Sequence, residues 1–398
     1  MTRSPSIIKQ PHKIIFLATI ALLLIFSTFA WGAQAAEQKP ILLKTMGSLM
    51  FGGTVTHKDD GETFHGDHGY AQYYIPQNAR QYPLIMWHGM GQSGKSWEST
   101  PDGREGFQAI LTRNDWPVYI IDQPRRGRAG YTSAGAADPG AVPTTARESS
   151  VWNAFRNGVW TPPQKATMFD IVQFPRDAAS IEQFFRQQTP DTGVEPMTAE
   201  YRQFMGKTMA ELLKLTGPSI LITHSHSVQY GWYAAMAAQP GEIKAIIAYE
   251  PGAFTFPENE RPAQIPARAE MVDMVMEPRL VPMEEFKKLT RIPIVIYYGD
   301  NISKEASEIF SVDLWRVANM RAKQFVDAVN RHGGDATLVF LPELGMKGNT
   351  HAPFADLNNI EVASLLEKFL HDKKLDGSSS PHSGPSKRVL EKATIPLR

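Results

Sequence analysis

Cysteine is absent from this chain. That excludes disulfides, thiolate metal ligands and cysteine nucleophiles, and leaves the fold to be held by its apolar core. A charge excess is missing too. Lys and Arg number 41, and so do Asp and Glu, so no electrostatic argument favours nucleic acid as a partner. Internal repeats are absent. Beyond the N-terminus, no uncharged run is long enough to span a bilayer.

What is present is 398 residues with 42% hydrophobic content, ample for one large α/β domain or two small ones. The N-terminus differs from the rest. Arg3, Lys9 and Lys13 precede an uncharged run from Ile14 to Ala36, which ends in the small-x-small site Ala33-Gln34-Ala35. A basic start, an apolar stretch and a small-residue end read as a secretory signal peptide over residues 1–35. The rival reading is an uncleaved anchor, since the run is just long enough to cross a membrane. The signal reading predicts a periplasmic or secreted protein with no stable membrane span after cleavage.

The expected catalytic domain, residues 36–373, alternates short apolar runs with helical stretches. Tyr82–Trp87, Val118–Ile121, Ser219–Ile222, Ala245–Ala248, Pro293–Tyr298 and Thr337–Leu341 read as buried parallel strands, continuous rather than alternating. Helices are expected over Gly103–Arg113, Ala179–Arg186, Ala199–Leu215, Val228–Ala238, Leu314–Arg331 and Ile360–Lys373. Ile41–Val55 and Gly69–Ile75 partly alternate, as in an antiparallel entry to a sheet. The rhythm predicts an α/β fold with a doubly wound, mostly parallel sheet. Residues 131–205 are too long for a simple connection and carry Trp152, Phe155, Trp160 and Phe169, so they are expected to form an inserted lid. Residues 254–290 form a second, proline-rich excursion. The polar tail, 374–398, is expected to be disordered.

The chemistry concentrates at Thr223-His224-Ser225-His226-Ser227, where a buried strand gives way to a helix. A serine on such a sharp turn exposes its hydroxyl above the sheet edge, and the helix N-terminus behind it offers N–H groups to a developing oxyanion. Small residues must flank it; Thr223 and Ser227 stand where glycine is usual. Earlier, Trp87-His88-Gly89-Met90-Gly91 follows a strand, as a segment supplying a second oxyanion donor does. The donors expected are the backbone N–H groups of Met90 and His226.

A base is expected late in the chain. His351, in Gly348-Asn349-Thr350-His351-Ala352, follows the last strand; His332, His371 and His382 read as ordinary surface residues. Two carboxylates compete to orient it. Glu250 ends the strand after the serine, and Asp300 ends the next one; either keeps the order Ser, acid, His that α/β-hydrolases require. His57, His65 and His68 lie among Asp59, Asp60 and Asp67 in a glycine-marked polar stretch whose spacing matches no metal motif. No metal and no cofactor are expected. Arg125, Arg126 and Arg128 follow a strand; they read as scaffold salt-bridge partners, with contact to an anionic substrate as the alternative.

Taken together, His88-Gly89 through Gly94, Trp97 through Arg104, Asp122-Gln123 with Arg126-Gly127-Arg128, and the HS-x-S, EPG, GD and GN-x-H segments form an unusual set. The set resembles the esterase 713-like family of secreted bacterial α/β-hydrolases, from about Gly47 to Phe369. That resemblance implies an α/β-hydrolase fold with Ser225 as nucleophile, His351 as base and Glu250 as acid, placed after the sixth strand instead of the seventh. Val228 departs from the glycine frequent after HS-x-S in relatives, Met90-Gly91 occupy a variable segment, and the lid differs.

The function expected is a secreted serine hydrolase cleaving a small carboxylic ester through an acyl-enzyme, active when His351 is neutral above a pH of roughly 6–7. A catalytically silent ligand-binding protein of the same fold is the alternative, as is an amidase or acyl transferase using the same triad. A homodimer is compatible with the sequence.

Overall fold

The computed structural model describes Met1, residues 39–130, 146–188 and 195–377, and His382. The chain divides into two units, Met1–Pro40 and Ile41–Arg398. Apart from Met1, the expected signal peptide lies outside the described residues. Among the described residues no helix is long and apolar enough to cross a membrane.

The larger unit has the α/β-hydrolase fold, built on an eight-stranded sheet. Its strands are β1 (Leu43–Phe51), β2 (Gly69–Pro76), β3 (Leu84–Trp87), β4 (Val118–Asp122), β5 (Ser219–His224), β6 (Ile243–Tyr249), β7 (Ile294–Tyr298) and β8 (Ala336–Phe340). They lie in the order β1-β2-β4-β3-β5-β6-β7-β8. The first two enter antiparallel and the other six run parallel. The return of β4 outside β3 leaves β3 and β5 as neighbours, with Trp87 opposite Thr223. Loops leaving those two strand ends therefore rise side by side, where ligands bind in open α/β sheets.

Helices cover both faces, which explains why the central strands send apolar side chains to both. In β3, Ile85 and Trp87 join one buried cluster while Leu84 and Met86 join the other; in β5, Leu221 opposes Ile220 and Ile222 in the same way. The flanking helices are α1 (Phe107–Arg113), α2 (Glu148–Ala154), α3 (Ala178–Arg186), α4 (Ala199–Thr216), α5 (Ser227–Ala237), α6 (Phe310–Arg331) and α7 (Asn359–Asp372). Helix α1 starts at Phe107, later than expected, because Gly103 and Gly106 belong to a turn in which Thr100 and Gly106 bond to Arg104 and Glu98 carbonyls.

The stretch expected as an insertion is ordered where described. Helix α2, a short hairpin (Gly158–Val159 with Thr167–Met168) and α3 pack through Trp152, Phe155, Phe174 and Phe184 into the core on one sheet face. Residues 131–145 and 189–194 lie outside the described residues. Helix α4 begins at Ala199, inside the stretch assigned to the insertion, and sends Tyr201 and Met205 into the opposite core. The Thr198 hydroxyl caps it by accepting from Tyr201 N–H at 3.2 Å. The 254–290 excursion forms a parallel strand pair, Thr255–Pro257 with Arg279–Val281, plus two short helices.

At the other end, Lys374–Gly377 are tied to the body: the Asp376 carbonyl accepts from Arg80 Nη1 at 2.6 Å and the Gly377 carbonyl from Gln81 N–H at 3.0 Å. His382 was expected on the surface. Instead its Nε2 lies 2.9 Å from the Tyr119 hydroxyl, and burial lowers its pKa to about 4. The other residues of the tail lie outside the described residues.

Candidate active site

Ser225 is half-buried at the turn from β5 into α5, with φ of +54°. That left-handed conformation is costly for a side chain with a Cβ and persists only where neighbours over-determine it. Here the Ser225 N–H donates to the Tyr249 carbonyl on β6 at 2.9 Å. Ser227 is fully buried and its hydroxyl is engaged: it accepts from His224 N–H at 3.1 Å and faces the Trp87 and His224 carbonyls at 3.1 and 3.0 Å. The two serines of the turn thus have different jobs, one presented at the surface of the turn and one bracing it. Thr223, where glycine is usual, is accommodated by Gly231 one turn into α5; a Cβ at Gly231 would sit 2.9 Å from Thr223 Cγ2.

Beside the turn runs the His88-Gly89 loop. His88 is buried and neutral, its pKa lowered chiefly by desolvation. Its Nδ1–H donates to the Gly89 carbonyl at 2.9 Å, and its Nε2 accepts from Gln123 N–H at 3.3 Å. Gly89 has no room for a side chain, since a Cβ there would lie 2.7 Å from His224 Nδ1. Met90 follows with a half-exposed side chain, and His226 stands between Ser225 and the first residue of α5.

The late histidine meets the β6 carboxylate. His351 Nδ1 lies 3.3 Å from Glu250 Oε2, and both side chains are buried. Burial works against the Glu250 charge, but Arg156 and His351 outweigh it and hold its pKa below the ordinary value. The carboxylate then accepts, so Nδ1 carries the imidazole proton and Nε2 is left basic. Burial lowers the His351 pKa below 6.5 despite the help of Glu250. The neutral form therefore extends to lower pH than an ordinary histidine would allow. Trp315 packs on the ring at 4.1 Å between centroids, Phe155 meets it edge-on at 5.1 Å, and His224 Nε2 holds the His351 carbonyl at 2.8 Å.

Asp300 points elsewhere. Its two oxygens accept from Asn301 N–H at 2.7 Å and Gly348 N–H at 2.8 Å, which fastens the loop carrying His351. The side chains of His224 and His226 are also occupied, the latter facing Glu195 Oε2 at 3.0 Å and the Tyr230 hydroxyl at 2.9 Å. Arg125, Arg126 and Arg128 pair with Asp67, Glu195 and Asp122. His332 pairs with Glu260 and His371 with Asp376. His57 and His65 sit on a two-stranded hairpin, Thr54–His57 with Thr63–Gly66. Among the described residues no group of three or more His, Asp or Glu side chains is placed to hold a metal ion.

Three contributors had no signal in the sequence. Arg156 donates from Nη2 to Glu250 Oε1 at 2.6 Å. Glu195 accepts from Gln123, Arg126 and Tyr230 while facing His226, so it fixes the turn after Ser225 from below. Asp356 accepts from Thr350 N–H and Oγ1 at 2.7 Å each and from Asn349 Nδ2 at 2.9 Å, next to His351. Burial pushes its carboxyl up to about 7. All three lie outside recognisable motifs, and only tertiary proximity connects them to the serine.

Known proteins resemble this chain in sequence and fold. No family model matches the chain. It is 25% identical over 327 residues to a probable secreted lipase, phiG, from Fungal sp. (strain ATCC 74256), covering 75% of this chain and 84% of the lipase. A bacterial esterase solved at atomic resolution superposes with a TM-score of 0.66 and 28% identity, covering 84% of this chain and 98% of the esterase.

Proposed function

We propose that this protein is a secreted serine hydrolase that cleaves carboxylic esters, of the kind its esterase 713-like motifs suggest. One observation carries the reading: a buried imidazole–carboxylate pair, His351 with Glu250, is tied through its chain neighbours to the turn of a strained, half-exposed serine. Ser225 N–H donates to the carbonyl of Tyr249, next to Glu250, and His224, next to Ser225, holds the His351 carbonyl. Similarity to a bacterial esterase and to a probable secreted lipase supports the same chemistry.

In this reading Ser225 Oγ attacks the acyl carbonyl while His351 Nε2 takes its proton. Glu250 holds Nδ1–H and stabilises the imidazolium that results. The backbone N–H groups of Met90 and His226 receive the oxyanion. The imidazolium then protonates the departing alcohol. Water, deprotonated by the same Nε2, attacks the acyl-enzyme and releases the acid. The segment ending in Ala33-Gln34-Ala35 would be removed on export, leaving a periplasmic or extracellular enzyme that begins near Ala36.

The test is hydrolysis of p-nitrophenyl esters of graded acyl length by the mature protein and by Ser225→Ala. Turnover by the first and its loss in a folded second variant would support the proposal. Absence of turnover across the series by the unmodified protein would favour a ligand-binding role, and turnover of amides alone would reassign the bond cleaved.

A further inference from the structure

Glu250 is fully buried, and a carboxylate taken out of water must be compensated or it neutralises. The compensation comes from the insertion. At the end of α2, three consecutive residues grip the acid–base pair. The Ala154 carbonyl accepts from the Trp315 indole at 2.7 Å, and Trp315 lies on the His351 ring. The Phe155 carbonyl accepts from His351 N–H at 2.9 Å. Arg156, 3% exposed and with φ of +58°, donates from Nη2 to Glu250 Oε1 and from Nε to the Asp300 carbonyl at 2.8 Å.

The two oxygens of Glu250 are thereby divided. Oε1 takes Arg156 and Gly299 N–H, at 2.6 and 2.5 Å, while Oε2 is left for His351. The guanidinium also joins the ends of two strands, since Glu250 follows β6 and Asp300 follows β7. Its planar fork suits both acceptors at once, which a single ammonium does not.

We infer that Arg156 is a positioning residue for the proposed hydrolysis, keeping Glu250 ionised and aimed at His351, so that the end of α2 completes the catalytic apparatus. This rests on the ester-hydrolase reading above. Acting through Glu250, Arg156 should leave substrate binding alone. Arg156→Met should lower kcat by roughly 100-fold or more, with KM changed little.

The pH profile separates this role from a structural one. Without the guanidinium, Glu250 takes a proton more readily, and any His351 still facing an ionised Glu250 loses a repelling charge. Both effects move the acid limb of kcat/KM to higher pH, as a property of the pair. Arg156→Lys keeps the charge but not the fork, so its acid limb should lie near the original while kcat falls about 10-fold.

Both variants are assayed on a p-nitrophenyl ester that the unmodified protein cleaves, beside thermal melts. In parallel, the low-field His351 Nδ1 proton is followed by NMR against pH. An unmoved acid limb and an unmoved Nδ1 titration in folded Arg156→Met would overturn the inference while leaving the hydrolase standing. If the unmodified protein cleaves no ester yet the titration moves in the variant, the function falls and the Arg156–Glu250–His351 coupling stands. Should Arg156→Met not fold, Arg156→Lys decides: reduced kcat at a retained acid limb supports the role, and unchanged kcat refutes it.

Discussion

Two parts of the candidate site are assembled differently. On the sheet side, Ser225, Glu250 and His351 each follow a parallel strand within a few residues or stand on the loop after one, so a regular scaffold sets their positions. In the stretch expected as an insertion, Phe155 and Arg156 reach His351 N–H and Glu250 Oε1 from the end of α2, a helix of seven residues, and Glu195 arrives from a stretch before α4. In the proposed mechanism the sheet side presents the reacting groups, while the residues from the end of α2 supply charge balance and burial. A Ser, acid, His order can therefore be found in a sequence while the groups that make it workable are found only by folding.

The sharpest break in that comparison comes from the serines. Ser225→Ala should reduce kcat by roughly three or more orders of magnitude without unfolding the protein. Ser227→Ala should keep substantial activity but lose about 1–2 kcal/mol of stability, because the His224 N–H it satisfies is buried. Steady-state kinetics and denaturant titration on both variants check this; an exchange of outcomes would reassign the nucleophile.

Next in size is the acid. In Glu250→Gln the remaining oxygen can still accept from Arg156 and Gly299, while the amide N–H₂ replaces the acceptor facing His351. The imidazole would then carry its proton on Nε2 and cease to be a base, costing roughly three to four orders of magnitude in kcat. Asp300→Asn removes one acceptor from a loop and should cost about 1 kcal/mol of stability before it costs activity. Melting curves beside kcat distinguish the two, and a silent, well-folded Asp300→Asn would move the acid to β7.

A smaller effect concerns pH. The general expectation for a histidine base is an acid limb at roughly 6–7. Burial of His351 lowers its pKa, so kcat/KM should hold to a lower pH, its limb falling below 6.5. A limb above that value would mean that His351 is more solvated, or Glu250 less ionised, than the geometry implies.

The smallest effect belongs to Asp356. Its carboxyl is pushed up to about 7 by burial, while an unfolded Asp titrates near about 4. A raised acid stabilises the fold fully below the unfolded value, and that contribution is lost as pH rises through the folded one. Asp356→Asn should therefore remove a decline in Tm between about pH 4 and 7. The amide can still accept from Thr350 N–H and donate to its hydroxyl. Equal pH dependence of Tm in both proteins would contradict this.

How much could be read in advance follows from the same division. The β3, β5, β6 and β7 strands were legible because helices bury both of their faces, which writes them as unbroken apolar runs. The serine turn was legible because its chemistry is local. Choosing between Glu250 and Asp300 needed the direction of each side chain: Asp300 is drawn to Gly348 N–H across 48 residues, which no local pattern records. Arg156 was invisible for a similar reason, since its partner is 94 residues away and its positive φ is not carried by a glycine. His382 was misread because a polar setting in sequence says nothing of Tyr119, which receives it.

The central claim is that Ser225 is an activated nucleophile, and a fluorophosphonate probe addresses it directly. The mature protein is treated with the probe at neutral pH, digested, and the modified peptide is sequenced by mass spectrometry. The account predicts one adduct per chain, on Ser225, abolished in Ser225→Ala and retained in Ser227→Ala. A folded protein that takes up no probe, or that carries it on Ser227, would contradict the account.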